Sequence, residues 1–166
     1  MEIRPLWWVA AISLAALTGS VMPAEAQQKA PRCVQELHDN SSAYGWVISM
    51  RQVAVSGGQV MVTLGIRNTR SASGLIGVPP EDENHTSLVN GATSEQTPMQ
   101  ALEGLAPKVR KVERSTSTAA QFTFPHPGSA GPVVFASTWL TPIMQGAAQR
   151  IRLKFPINLP AREDCP

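Results

Sequence analysis

The three histidines, His38, His85 and His126, are the side chains best suited to move a proton or bind a metal near neutral pH. His85 follows Glu81-Asp82-Glu83-Asn84. A carboxylate-rich loop ending in an imidazole offers oxygen and nitrogen donors to a divalent cation. Its spacing matches neither a calcium-loop template nor a pair of zinc-binding histidines one helical turn apart. Glu81, Glu83 and His85 are therefore candidate binding residues, and a metal-dependent enzyme is the reading they would support. The plainer reading is a solvated acidic loop after Pro79-Pro80. His38 adjoins Asp39, and His126 lies between Pro125 and Pro127, a setting for a turn residue. No serine sits in a G-x-S-x-G elbow, and no glycine-rich loop opens a helix to cradle phosphate. The expectation is a non-catalytic protein with no cofactor and no resident metal.

Positive charge forms two stripes. One is Lys108, Arg110, Lys111 and Arg114; the other is the alternating row Arg150, Arg152 and Lys154. On adjacent strands they would build a basic face for an anionic ligand, a glycan, a lipid surface or an acidic protein. The same charges also discourage an edge strand from pairing with another chain. A formal net charge of +2 is too small to imply a nucleic-acid partner. The two cysteines, Cys33 and Cys165, have no CxxC spacing and no ligand set beside them, so one disulfide between them is expected.

The elements that must position these residues begin after an export signal. Arg4 supplies its positive start, Leu6 to Thr18 its apolar run, and Ala24-Glu25-Ala26 its cleavage site, so residues 1–26 are a signal peptide and 27–166 a single domain. The apolar run is short for a membrane span of about 20 residues, and an uncleaved anchor is the alternative. Periplasmic or secreted localisation follows. Sparse charge with frequent Pro and Gly suits short strands joined by turns.

Val60, Val62, Leu64 and Ile66 alternate with Met, Thr, Gly and Arg, the period of a strand with one buried face. Ser56-Gly57-Gly58-Gln59 joins this strand to Val53-Ala54-Val55 as a hairpin. The large residues of Trp46 to Met50 are even-numbered, whereas Val53 and Val55 are odd, which predicts a bulge near Arg51-Gln52. Asp39 to Ser42 has loop chemistry, and Cys33 to His38 fits a helical turn or an edge strand. Further strands are expected at Leu75–Val78, Thr86–Val89 and Gln121–Phe124. Val133 to Leu140 is apolar on both faces, hence central. Along Arg150 to Asn158, Ile151, Leu153, Phe155 and Ile157 face in and the basic row faces out. Thr97-Pro98-Met99-Gln100 has a capping box and a helix-starting proline, predicting one short helix ended by Gly104.

Seven or eight such strands predict an all-β, two-sheet sandwich. The run from Met50 through Val53, Val55, Val60, Val62, Leu64 and Ile66 to Asn68-Thr69 resembles the opening hairpin of small exported bacterial immunoglobulin-like domains of unknown function. Phe122-x-Phe124 and Ile151-x-Leu153-x-Phe155 would fill the later strands of that pattern. The resemblance implies binding or assembly with a protein or cell-envelope partner, through loops or a sheet edge, and no catalysis. The stretch from Glu81 to Leu105 is longer than a strand connection needs and is the candidate contact loop.

Overall fold

A computed structural model of the chain describes residues 32–79, 86–105, 109–143 and 146–166. The expected signal segment, residues 1–26, together with Glu81 to His85 and Lys108, lies outside them. The strands are, in chain order, β1 (Val34–Glu36), β2 (Asn40–Ala43), β3 (Trp46–Ser56), β4 (Gln59–Asn68), β5 (Gly74–Gly77) and β6 (Ser87–Asn90). They continue as β7 (Gln96–Pro98), β8 (Ala101–Glu103), β9 (Val109–Val112), β10 (Ser117–Pro125), β11 (Gly131–Ile143) and β12 (Gly146–Leu159). A 3-10 turn at Arg162–Asp164 follows.

The hairpin of β3 and β4 forms as its alternation requires. Ser56 pairs with Gln59 across Gly57 and Gly58, whose φ values of 57° and 75° are the left-handed pair that a two-residue turn needs. The register shifts between Met50 and Gln52, so Arg51 is the extra residue of a bulge and the inward parity changes there. Met50 and Val53 are consequently both buried. Gly65, which pairs with Ser49 next to this bulge, lies under the Arg51 guanidinium, where a Cβ would collide with it.

One sheet runs β1-β3-β4-β10-β8, with β2 beside β1 along the same edge of β3. In the other, β11 carries β12 along one side and β6 and β5 end to end along the other; β7 lies beyond β6 and β9 beyond β5. All pairings are antiparallel, giving the two-layer layout of an immunoglobulin-like sandwich. Among the described residues twelve strands replace the seven or eight expected, because short segments share an edge. Asn40 to Ala43 is one of them, a strand where the sequence suggested a loop.

The inward rows meet in aromatic contacts between the layers. The Phe122 ring lies 5.3 Å from Phe135 and 5.9 Å from Trp139, and Phe124 lies 6.0 Å from Phe135. Each such buried side chain contributes about 1.5–3 kcal/mol of transfer free energy. β11 is central as expected, although its outer face is half-covered, not buried.

The helix expected at Thr97 does not form. β7 pairs with β6 in one sheet and β8 with β10 in the other, so the chain crosses between layers at Met99-Gln100. Met99 N–H donates to Thr86 O at 3.3 Å and Gln100 N–H to Thr123 O at 2.8 Å. A single helical turn cannot repay its nucleation cost, whereas two waiting sheet edges satisfy the same backbone groups at once. The stretch from 86 to 105 is therefore built into the sandwich and is not a free contact loop.

Candidate functional site

The inward and outward rows of β12 fall where the sequence puts them. Ile151, Leu153, Phe155 and Ile157 are buried, and Arg150, Arg152 and Lys154 are exposed. What the alternation does not show is that β12 is an edge, paired with β11 alone among the described residues.

The proline positions reveal which backbone groups of β12 face that edge. Pro132 pairs with Asn158 and Val134 with Pro156, and neither proline has an N–H to give a ladder. Pro132 O is turned away from β12, accepting Gly91 N–H at 3.1 Å. Asn158 O is turned away from β11, accepting Gln35 Nε2–H at 2.8 Å. Backbone direction alternates along a strand. The N–H and C=O groups of Arg152 and Lys154 therefore also point away from β11, and they have no partner among the described residues. Pro156 offers its carbonyl alone on this edge.

The facing wall belongs to the other sheet. Asp39, Asn40 and Ser41 line a groove of about 470 Å³ together with Arg152, Lys154, Phe155 and Pro156. Towards its far end the flank is sewn shut. Cys33 and Cys165 form the expected disulfide, with Cα atoms 5.6 Å apart and a sequence separation of 132. Ser56 Oγ donates to Pro166 O at 3.1 Å, and Val55 N–H to Cys33 O at 2.7 Å. So long a closed loop stabilises the fold by about 4–5 kcal/mol in the chain-entropy account. The open groove and the closed clasp thus occupy one side of the sandwich.

Neither the Arg152 nor the Lys154 side chain makes an ion pair or hydrogen bond among the described residues. The second basic stripe is used locally. Arg110 Nη1 donates to Gly104 O at 2.7 Å, and Lys111 Nζ lies 3.0 Å from Glu113 Oε1. β9, which carries Arg110 and Lys111, is separated from β12 by β5 and β11, so these residues do not merge with the β12 row into one face.

Of the histidines, His38 is exposed beside the groove residue Asp39. His126 is buried, its Nδ1 accepting Gly128 N–H at 3.0 Å, so its Nε2–H donates to Pro160 O at 3.1 Å. Both ring nitrogens are thereby occupied in holding a turn. Among the described residues no group of three or more His, Cys, Asp and Glu could hold a metal ion, and no helix is long and apolar enough to cross a membrane. Glu81, Glu83 and His85 lie outside those residues.

Sequence reasoning missed Asn40, Ser41 and Pro156 as walls of the site. Pro156 carried the one usable signal, since proline inside a strongly alternating strand marks an edge.

No protein-family model matches the chain, and no curated protein matches it. Among solved structures, the chain is similar to the ASH / PapD-like domain of human CEP192 (PapD-like domain 7), with 11% identity, 76% of this chain and 94% of that chain covered, and a TM-score of 0.45.

Proposed function

We propose that the protein is an exported, non-catalytic binding or assembly module that takes an extended segment of another protein along the free edge of β12. The observation carrying this reading is the unpaired backbone of Arg152 and Lys154, open to a groove. An added strand would satisfy those groups with main-chain hydrogen bonds, and the outward side chains would select its sequence. Arg152 and Lys154 favour acidic residues in the incoming segment. The terminal disulfide supports an oxidising compartment, periplasmic or extracellular, as does the leader read from the first residues.

A second reading has one observation in its favour, the lack of ion partners on the Arg152 and Lys154 side chains. On that reading the basic row meets an anionic glycan or lipid surface and the backbone edge is idle.

Amide exchange and two variants separate the readings. In the free protein the amides of Arg152 and Lys154 exchange rapidly, while those of Leu153 and Phe155, facing β11, are slow. Affinity capture from the cell envelope follows, using wild type, Arg152→Pro and the pair Arg152→Glu, Lys154→Glu. Strand addition requires that Arg152→Pro, which removes one outward N–H, abolish capture of a defined protein partner and that this partner protect both amides. Binding to anionic vesicles, lost on charge reversal and only partly weakened by Arg152→Pro, which removes one charge of the row, would establish the second reading in its place.

A further inference from the structure

At one end of the sandwich, the β4–β5 loop carries Arg70 across the Trp46 ring, its Cζ 5.4 Å from the ring centroid. Arg70 Nε–H donates to Tyr44 O at 2.8 Å and Nη2–H to Thr141 Oγ1 at 3.1 Å. Thr141, fully buried, also accepts Trp46 Nε1–H at 3.0 Å and donates to Leu75 O at 3.1 Å. Its hydroxyl is thus completely used. Two glycines clear the space for Arg70 and the Trp46 ring beneath it. A Cβ at Gly45 would meet Arg70 Cγ at 2.5 Å, and one at Gly74 would meet Trp46 Cζ2 at 2.8 Å.

The guanidinium is therefore fixed in place by neutral groups and an aromatic face, and it has no carboxylate partner among the described residues. Two of its five N–H donors are committed, leaving three. It lines a depression of about 820 Å³ whose walls include Ala72, Leu75 and Pro142. Leu75 is 43% exposed there, an apolar side chain without cover. Lys111 stands at the rim, its charge offset by Glu113 at 3.0 Å.

We infer that this depression is a binding site for a small monocarboxylate with an apolar body. Its volume is that of a small-ligand pocket. A preorganised guanidinium receives a planar carboxylate through paired N–H donors, losing little freedom because it is already held. Among the described lining residues one cation is uncompensated, which matches one negative charge. The apolar body lies along Ala72, Leu75 and Pro142. This site shares no residue with the β12 groove, so either can fail without the other.

Decanoate is the probe and decanamide its neutral counterpart, each titrated into the folded, oxidised protein while backbone and Arg Nε resonances are followed. Decanoate is expected to saturate, with shifts concentrated at Arg70, Ala72 and Leu75, and decanamide to bind at least about tenfold more weakly. Leu75→Glu places a repelling carboxylate on an exposed position. It should weaken decanoate at least about tenfold with its unfolding temperature kept within a few degrees of wild type. Arg70→Gln should do the same to affinity. Equal affinity for acid and amide overturns the proposal, as do shifts centred elsewhere, no decanoate binding below about 1 mM, or Leu75→Glu binding like wild type.

Discussion

The two long hairpins, β3–β4 and β11–β12, share one inward pattern and differ in what flanks them. β4 lies between β3 and β10 for its whole length, whereas β12 has β11 on one side and a groove on the other. The inward residues are buried equally in both: Val60, Val62, Leu64 and Ile66 in β4, and Ile151, Leu153, Phe155 and Ile157 in β12. The outward rows diverge. β4 turns out the half-buried Met61 and Thr63, the buried Gly65 and, only near its end, the exposed Arg67, while β12 turns out Arg150, Arg152, Lys154 and Pro156, all exposed. The inward row thus reports that a strand belongs to the core, and the outward row reports whether it sits at the centre or the edge of its sheet.

The largest effect tests the shared half of that comparison. Phe155→Ala in β12 removes a ring stacked 6.5 Å from Phe135, and Phe122→Ala removes one 5.3 Å from the same partner. Both should cost about 3–5 kcal/mol in chemical denaturation. A much smaller cost for Phe155→Ala would mean that the edge hairpin is not part of the common core.

The next effect tests the closed end of the β12 flank. Replacing Cys33 and Cys165 by serine should cost about 2–5 kcal/mol. Amide exchange should accelerate in β1 and from Asn158 onward, where Gln35 reaches across, while β3–β4 stays protected. Uniform acceleration through both hairpins would show that the clasp holds the whole sandwich and not this flank.

Much of this architecture was legible because period-two alternation is decided locally. The bulge at Arg51 could be read from the parity of Met50 and Val53 alone, and the disulfide from two cysteines without other partners. Thr97 to Gln100 misled because capping signals are local, whereas the bonds that claim Met99 and Gln100 come from Thr86 and Thr123 in different sheets. The β12 edge left one sign, Pro156 inside an alternating strand, and the Arg70 depression left none. Trp46, Arg70 and Thr141 are brought together across separations of 71 and 95 residues, and no short motif records that meeting.

The smallest expected effect sharpens the difference between the hairpins most. Pro156 pairs with Val134 at a position where an N–H would point into the groove, so Pro156→Val restores one donor to the free edge without adding a ladder bond to β11. Valine suits the exposed, extended backbone, and stability should change by no more than about 0.5 kcal/mol. If proline and the basic row keep this edge from pairing with a second copy, the variant should self-associate measurably in sedimentation velocity. Adding Arg152→Thr and Lys154→Thr should increase that association by removing like-charge repulsion between copies. A monomeric triple variant would show that the edge is guarded by the facing wall of Asp39, Asn40 and Ser41 instead. The groove would then admit only a segment slender enough to pass that wall, which favours an extended peptide over a second folded sandwich.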